Sequence, residues 1–368
     1  MTTGNGRRTI LIAGGGTGGH LTPALAIAAE LEAQGAGFEP VLVGAVRGVE
    51  ARVLPTRDYR YHLLPSEPIY RRQWWRNVRW PLLAGRLLRG VDELLRAERP
   101  AAVLGTGGYA SAPVVWRASH GGLPTAIQEQ NAYPGLATRW LSRRVRHIYL
   151  GLPESRRLLS FGSRTQVFDT GNPIVPPTPE RRSDALKLFG LEPDARVVLV
   201  TGGSQGALAI NTAVAGWLEA GGPSNACLIW VTGRGTYGEF SRFNHAPRVQ
   251  VVDYLDPMAD GYAVADLVIS RAGMMTVAEL CAWGLPSILI PLPSAAADHQ
   301  THNARVLAEA GATLHLSQAE LSPRRLAQAV EGLLSEDATR EAMAKRAKLR
   351  GKPEAAREIV SNLLTLVG

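Results

Sequence analysis

The sequence predicts an α/β protein built from two Rossmann-like halves, and three observations support this prediction. An apolar run at residues 9–13 breaks into the glycines of 14–19 and then into a helix-like segment. The same succession of strand, glycine turn and helix returns at residues 197–207. Buried parallel strands are short β-branched apolar runs, and glycines past their ends let the backbone approach a ligand. At 368 residues the chain also exceeds one ordinary core, which favours two domains.

The first glycine turn satisfies the spacing G-x-G-x-x-G at Gly14, Gly16 and Gly19. Backbone amides at the N-terminus of the following helix attract anions such as phosphates. A dinucleotide-binding domain also needs an acidic residue at the end of its second strand, and the predicted strand at 40–44 ends without one. A nicotinamide-dependent oxidoreductase would therefore lack its ribose-binding carboxylate here.

Composition is that of a soluble globular protein, with 45% hydrophobic and 20% charged residues. No apolar run approaches the roughly 18 residues that span a bilayer, and no signal-peptide core precedes the first glycine turn. The two cysteines, Cys227 and Cys281, lie in apolar segments without metal-ligand spacing. We therefore expect a cytoplasmic protein with ordinary buried thiols.

Charge is distributed unevenly along the chain. Residues 1–170 contain 22 arginines, no lysine and 12 acidic residues, a net charge of +10. Residues 171–368 contain 18 basic and 20 acidic residues, a net charge of −2. A basic face in the first half attracts nucleic acid, anionic lipid or a phosphorylated substrate, and charge alone does not choose among them.

In the first half, the pattern predicts alternating helices and strands that end in polar or glycine-rich turns. The predicted elements are a helix at 21–34, a strand at 40–44, a helix at 82–98, a strand at 101–104 that opens into the glycines of 105–108, and a strand at 125–127 that leads into the polar cluster 128–131. Ligands of open α/β sheets bind at the carboxyl ends of the strands. These turns are therefore the candidate site of the first half.

Residues 69–83 interrupt the alternation with tryptophans among arginines. The residues that this pattern assigns to a membrane surface are Arg71, Arg72, Trp74, Trp75, Arg76 and Trp80. Aromatic rings settle at the depth of lipid headgroups while guanidinium groups meet lipid phosphates. The alternative is an amphipathic helix whose tryptophans enter the core and whose arginines are solvated.

Residues 171–179 contain four prolines and form the clearest linker, so we place the domain boundary there. The second half then begins its own alternation. Its predicted elements are a helix at 181–189, strands at 196–200, 227–231, 249–252, 267–269 and 286–291, a glycine turn at 270–273, a helix that opens at 298 and a last amphipathic helix at 353–368.

Seven motifs, in order along the chain, together resemble the MurG family. They are GGGTGGHLTPALA at 14–26, GTGGYASAP at 105–113, EQNAYPG at 129–135, GNP at 171–173, TGGSQGA at 201–207, RAGMMTVAE at 271–279 and DHQTHNA at 298–304. The resemblance covers nearly the whole chain.

The resemblance implies the bacterial transferase that moves N-acetylglucosamine from UDP-N-acetylglucosamine to undecaprenyl-diphospho-N-acetylmuramoyl-pentapeptide, converting lipid I to lipid II in peptidoglycan synthesis. It implies an inverting reaction and the GT-B fold, two Rossmann-like domains with parallel sheets facing across a cleft. The domains would be 1–172, for acceptor and membrane, and 173–352, for the UDP-sugar, with helix 353–368 packed back on the first. We expect a peripheral enzyme on the anionic cytoplasmic side of the inner membrane, with no cofactor and no nucleic acid partner. Since no Asp-x-Asp pair is present, we also expect no metal.

In the first half, the resemblance assigns the donor sugar to Thr17, Gly18 and Gly19. His20 is the candidate general base, since imidazole titrates near neutral pH, and Glu129 is a carboxylate that could share this role. The resemblance further assigns Asn131 to N-acetylglucosamine and Tyr109 to the acceptor. His20 could instead merely cap its turn, and Asn131 could form an Asx turn.

In the second half, Ser204 and Gln205 would contact the diphosphate and sugar, and Glu279 would accept from both ribose hydroxyls. The remaining donor contacts that the resemblance implies are Leu255, Met274, Met275, Thr276 and Gln300. Without the resemblance, Glu279 could be an ordinary acid in the first turns of a solvated helix.

The sequence departs from the family pattern at several positions. Val175 stands where the family usually carries an arginine soon after GNP, so the cation expected near the diphosphate is either missing or supplied from elsewhere. Residues 294–297 are poorer in acid than expected, Met274 and Met275 replace smaller residues, and 66–81 has little glycine-lysine character.

Three other interpretations stay open at this point. Another GT-B transferase could use a UDP-sugar with a different lipid acceptor. A nicotinamide-dependent oxidoreductase is favoured only by the first glycine loop. A basic lipid-binding or nucleic-acid-binding module without catalysis would need neither the second glycine turn nor Glu279.

Overall fold

The computed structural model describes residues 8–67, 80–203 and 205–368, with the side chains of 80 and 81 excepted. The chain divides into two compact units. The first domain comprises Met1–Ile174 and Glu354–Gly368, and the second comprises Val175–Pro353.

The first domain is a seven-stranded parallel sheet in the order β3-β2-β1-β4-β5-β6-β7. Its strands are β1 (Arg8–Gly14), β2 (Phe38–Ala45), β3 (Arg60–Leu64), β4 (Ala102–Gly107), β5 (Thr125–Glu129), β6 (His147–Leu150) and β7 (Gln166–Phe168). Its helices are α1 (Gly18–Ala33), α2 (Glu50–Val53), α3 (Trp80–Glu98), α4 (Gly108–His120), α5 (Leu136–Leu141) and, from the end of the chain, α14 (Ala355–Leu364).

Two apolar layers cover the faces of this sheet, because the central strands alternate their side chains between them. Leu11 and Ala13 face a layer completed by α3 and α4, whereas Ile10 and Ile12 face a layer completed by α1 and α14. Both sets of side chains are fully buried, as expected of a parallel sheet with helices on both faces.

The C-terminal helix α14 belongs to the first domain although it follows the second in sequence. Ile359, Val360 and Leu363 are fully buried in the layer that contains α1. The Arg8 guanidinium donates to the carbonyl of Val367 at 2.8 Å.

The second domain is a six-stranded parallel sheet in the order β10-β9-β8-β11-β12-β13. Its strands are β8 (Val197–Thr201), β9 (Cys227–Val231), β10 (Val249–Val252), β11 (Leu267–Ser270), β12 (Ser287–Leu289) and β13 (Leu314–His315). Its helices are α6 (Arg182–Leu188), α7 (Leu208–Glu219), α8 (Tyr237–Phe240), α9 (Met258–Val264), α10 (Met274–Trp283), α11 (His299–Glu309), α12 (Pro323–Ser335) and α13 (Asp337–Arg350).

These sheets confirm the predicted α/β class with two Rossmann-like halves. The predicted strands at 227–231 and 249–252 are observed with the same bounds. Sequence analysis missed β3, β6, β7 and β13, of which β3, β7 and β13 are short and partly exposed. Among the described residues, no helix combines the length and the apolar character needed to cross a bilayer.

Candidate functional site

The first candidate site lies where the strand order of the first sheet reverses, between β1 and β4. Ligands of open α/β sheets bind at this switch point, outside the carboxyl ends of the strands. The loops that follow β1 and β4 touch here: Gly108 has a φ of 80°, and any Cβ on it would collide with the carbonyl oxygen of Gly15. Gly16, at a φ of 95°, likewise lies against the ring of Tyr109. Glycine is therefore required at both positions.

His20 lies in the first turn of α1 and points back toward β4. Its Nδ1 is 3.2 Å from the carbonyl oxygen of Thr106, and a Cβ on Gly107 would come within 2.6 Å of the same nitrogen. A carbonyl only accepts hydrogen bonds, so this contact places the proton of a neutral imidazole on Nδ1 and the lone pair on Nε2. The Thr106 hydroxyl also donates to the backbone carbonyl of His20 at 2.9 Å. Thr106 thus holds the first turn of α1 through both the backbone and the side chain of His20.

A chain of buried amides holds the same Thr106 carbonyl in place. The Gln130 amide donates to it at 2.6 Å and also donates to the side chain of Gln128. Gln128 donates to Asn172 at 2.8 Å, and Asn172 donates to the carbonyl of Gln130 at 3.1 Å. No role was predicted for Thr106, Gln128 or Gln130, although Thr106 and Gln130 lie within recognised motifs and Gln128 directly precedes one.

Glu129 is buried, with 3% of its surface exposed, and its carboxylate organises the turn that follows β5. It accepts from the backbone N–H of Asn131 and of Gly135, both at 3.0 Å. The Asn131 side-chain amide also donates to it at 3.3 Å. These contacts give Glu129 a positioning role for Asn131.

The other residues assigned to the first domain lie around this switch point. Thr17, Gly18 and Gly19 are exposed at the N-terminus of α1, where the first helical amides lack intrahelical acceptors. Tyr109 follows in the first turn of α4.

Glu50 is a site residue that sequence analysis missed. Its side chain is fully buried beneath the first glycine loop. Its Oε1 accepts from the Ala45 N–H at 2.7 Å, and Oε1 and Oε2 lie 3.0 and 2.9 Å from the Gly16 nitrogen. The carboxylate thus joins the end of β2 to the loop that carries His20.

The second candidate site lies at the equivalent switch point of the second sheet, between β8 and β11. Gly203 and Gly206 adopt φ values of 81° and 73°, and a Cβ on Gly206 would collide with the carbonyl of Thr232. Gln205 is exposed on this loop, whereas Ser204 lies outside the described residues. The loop thus has the close backbone approach that a diphosphate cradle needs.

Asn211 anchors this second loop from within α7. Its amide donates to the Thr232 carbonyl at 2.8 Å and to the Thr236 hydroxyl at 3.0 Å, and its carbonyl accepts from the Trp230 indole at 3.0 Å. The Asn211 side chain is fully buried. The contacts around this loop are made by neutral groups, in contrast to the carboxylate beneath the first loop.

Glu279 lies on α10, which begins directly after the glycine turn at 271–273. The buried Tyr262 hydroxyl donates to its Oε2 at 2.9 Å. Burial raises the pKa of Glu279, while the Tyr262 hydrogen bond lowers it in part. Burial and the neighbouring carboxylate raise the pKa of Tyr262, which keeps its hydroxyl a donor. Glu279 is therefore oriented through one oxygen, and Oε1 is the oxygen that would accept from a ligand.

The other assigned donor residues lie in the first turn of α10, in the loop between β10 and α9, and in the first turn of α11. Met274 is 6% exposed, so its side chain packs inward, whereas Met275 and Thr276 are partly exposed. Leu255 packs near Gly261, where an added Cβ would lie 2.8 Å from its Cδ2. The Gln300 carbonyl accepts from the Leu292 N–H at 2.9 Å, which leaves its amide group as the donor.

Arg271 places a cation in the turn that follows β11. Its guanidinium is buried and donates to the carbonyls of Ile290 and Pro291, both at 3.1 Å. Burial lowers its pKa. Val175, where a cation was expected, is 76% exposed. In the described part of the chain, no group of three or more histidine, cysteine or acidic side chains is arranged to hold a metal ion.

An aromatic and basic surface lies on α5 of the first domain and on the turn that follows it. We define the α5 patch as Leu136, Arg139, Trp140 and Arg144. Leu136 is 63% and Trp140 51% exposed, and the Arg144 guanidinium lies 5.4 Å from the centroid of the Trp140 ring. Of the residues assigned to a membrane surface, Arg71, Arg72, Trp74, Trp75 and Arg76 lie outside the described residues, and Trp80 begins α3 without a described side chain.

Comparison with known proteins places both halves in one enzyme family. Residues 10–150 match the glycosyltransferase family 28 N-terminal domain, and residues 197–359 match the family 28 C-terminal domain. A protein of Chlorobaculum parvum is 39% identical over 365 residues, a match that covers 97% of this chain and 99% of the relative. A protein of Moorella thermoacetica is 38% identical over 368 residues, with 97% and 99% covered. Both carry the name UDP-N-acetylglucosamine--N-acetylmuramyl-(pentapeptide) pyrophosphoryl-undecaprenol N-acetylglucosamine transferase.

The fold also matches a solved structure. The crystal structure of MurG from Acinetobacter baumannii superposes with a TM-score of 0.77 at 26% identity, covering 98% of this chain and 99% of that one. Because relatives at 38–39% identity span nearly the whole chain and both halves match family 28 domains, the chain belongs to the MurG family of N-acetylglucosamine transferases.

Proposed function

We propose that this protein transfers N-acetylglucosamine from UDP-N-acetylglucosamine to the 4-hydroxyl of the muramoyl sugar of lipid I, which yields lipid II. The names that these relatives carry support this donor and acceptor. In this proposal the first domain binds the acceptor and supplies the base, and the second domain binds the UDP moiety.

The observation that carries the proposal is the contact between His20 Nδ1 and the Thr106 carbonyl. It orients an imidazole at the switch point of the first sheet and places the lone pair of the neutral ring on Nε2, the nitrogen that would take the proton. A general base of this kind is what an alcohol acceptor needs. The buried Glu129 carboxylate already accepts three donors in the turn 131–135, so we assign the base to His20.

The reaction is a single displacement. The acceptor O4 forms a bond to C1 of N-acetylglucosamine while the bond between C1 and the β-phosphate oxygen of UDP breaks. The O4 proton passes to Nε2 of His20, and UDP leaves with the bonding electron pair. Attack opposite to the leaving group inverts the anomeric carbon, and fixed donors must stabilise the charge that develops on the diphosphate.

The second domain offers such donors. Amides of the loop after β8 and the N-terminus of α10 both favour a diphosphate. In this proposal Arg271, in the turn between β11 and α10, supplies the positive charge that Val175 does not. Glu279 would accept from the two ribose hydroxyls, since two adjacent alcohols suit one carboxylate.

Transfer of radiolabelled N-acetylglucosamine to a lipid I analogue tests this proposal. We expect turnover with UDP-N-acetylglucosamine, at least tenfold lower kcat/KM with UDP-glucose, and no loss of activity in a chelator. Saturable UDP binding without transfer would contradict the assigned acceptor and would favour another GT-B transferase. Activity lost in the chelator and restored by a divalent cation would contradict the metal-free mechanism.

We also propose that the first domain binds an anionic membrane surface, since its acceptor carries a lipid. Helix α4 packs against both α3 and α5, so the α5 patch and the helix that begins at Trp80 lie on the same side of the first sheet. Exposed Leu82, at 78%, extends the apolar character of this side. Tryptophan and arginine side by side suit the headgroup region.

The membrane proposal predicts that Trp140→Glu with Arg144→Glu weakens binding to anionic vesicles by at least tenfold. Each arginine near an anionic surface contributes about 1 kcal/mol, and tryptophan adds apolar burial. Co-sedimentation with phosphatidylglycerol vesicles measures the loss. The control is Leu349→Glu, which changes a leucine of the second domain that is 85% exposed. Equal vesicle binding by both variants would contradict the assignment.

A further inference from the structure

The carboxylate of Glu50 holds the first glycine loop from beneath. Glu50 begins α2, five residues beyond the end of β2, and its side chain folds back beneath the loop. It is fully buried, and both carboxylate oxygens meet backbone N–H groups: Oε1 meets Ala45 and Gly16, and Oε2 meets Gly16. A buried carboxylate is tolerable when hydrogen bonds of this kind satisfy it.

Three glycines leave the space that this carboxylate occupies. A Cβ on Gly15, Gly44 or Gly48 would collide with the Glu50 side chain. These glycines come from the loop after β1, from β2 and from the turn before α2. Three separate segments of the chain therefore each contribute a glycine that makes room for the Glu50 side chain.

The contact also decides what the loop can bind. In a glycine loop that cradles phosphate, the free backbone N–H groups point at the ligand. Here the Gly16 N–H is directed to an internal carboxylate, and a negative charge lies directly beneath the loop. The loop after β8 differs in the charge of its acceptors: Gly203 donates to the Thr201 hydroxyl at 3.3 Å and Gly206 donates to the Gly203 carbonyl at 2.9 Å, and both acceptors are neutral.

We infer that Glu50 is a positioning residue for transfer: its carboxylate replaces a bound phosphate at the first glycine loop and thereby fixes the segment that carries His20. Gly16 is four residues before His20, and between them lies the start of α1. Restraining Gly16 restrains the direction in which α1 begins. Glu50 touches no substrate in this role, and it acts through the loop. The inference deepens the proposed function and rests on it.

The test is Glu50→Gln, which keeps the size of the side chain and the Oε1 acceptor. In this variant the new side-chain NH₂ group would replace Oε2 opposite the Gly16 N–H. Two hydrogen-bond donors would then face each other, and the loop must shift to separate them. We expect kcat to fall at least tenfold while the Kd for UDP changes less than twofold, because the residues that would bind UDP lie in the second domain and are untouched. The matched control is Glu98→Gln, since Glu98 is also a nearly buried carboxylate of the first domain, bonded to Arg60 and His62.

A double-mutant cycle with His20→Ala separates positioning from general stability. If Glu50 acts through His20, the double variant loses no more kcat than His20→Ala alone. Wild-type kcat in Glu50→Gln, a kcat loss equal to that of Glu98→Gln at equal thermal stability, or losses that multiply in the double variant would each overturn the inference. Wild-type turnover in His20→Ala would overturn both the assigned base and this inference, whereas wild-type turnover in Glu50→Gln beside a slow His20→Ala variant would overturn the inference alone.

Discussion

Replacing His20 with alanine is expected to lower kcat by 10²–10⁴-fold, the usual contribution of a positioned general base. The affinity for UDP should change less than twofold, because Glu279 and the loop after β8 belong to the second domain. The physical reason is the fixed tautomer: the Thr106 carbonyl 3.2 Å from Nδ1 keeps the proton of the neutral ring on Nδ1, so the basic lone pair is on Nε2. Steady-state transfer kinetics and calorimetric titration with UDP measure the two quantities separately.

His120 provides a matched control for this experiment. It belongs to the same domain, and its Nδ1 is 3.1 Å from the backbone carbonyl of Trp116, but it lies at the far end of α4 from the glycine loops. His120→Ala should therefore keep wild-type turnover. If His20→Ala loses UDP affinity as much as turnover, His20 binds the donor and the base must be sought elsewhere, with Glu129 as the next candidate.

Most of the fold could be predicted from the sequence, because buried parallel strands are recognisable as apolar runs that end in glycine. Strand β9, all apolar and flanked by turn residues, was predicted with the bounds that are observed. Strands β3 and β13 were not, since each is short, lies at a sheet edge and is only partly buried. Helix α1 begins at Gly18, earlier than its apolar spacing suggests, because the Thr17 carbonyl accepts from His20 and Leu21 despite the poor helix propensity of glycine.

The site was predictable only where its chemistry lies in a motif. His20, Asn131 and Glu279 stand in recognisable strand-exit segments, but their partners are set by tertiary packing. Glu50 illustrates the limit: the strand at β2 does end without an acid, and the pattern cannot show that a carboxylate five residues later folds back onto the loop. The available signal was Gly44 and Gly48 on either side of the turn before this acid.

The prediction for Glu279 follows from its burial. Because desolvation raises its pKa, the carboxylate becomes protonated at a higher pH than an exposed glutamate would. A protonated carboxyl accepts from the ribose hydroxyls more weakly than a carboxylate does, so UDP affinity should fall as the pH drops through this raised pKa. The Tyr262 hydrogen bond opposes the shift, and Tyr262→Phe should therefore raise the pKa further and move the loss of affinity to higher pH.

Calorimetric titration with UDP at a series of acidic pH values tests the direction of this pH dependence. Glu279→Gln, which keeps one acceptor, should weaken binding by about tenfold at neutral pH, since a hydrogen bond to a charged group contributes about 1.5 kcal/mol or more. Its affinity should also lose the pH dependence that the carboxylate confers. Glu331→Gln on α12 changes an exposed acid of the same domain and should bind like the wild type. The contrary result would be a Tyr262→Phe variant that loses UDP affinity at a lower pH than the wild type does. It would show that the Tyr262 hydroxyl stabilises the protonated form of Glu279. Glu279 could not then bind ribose as an oriented carboxylate.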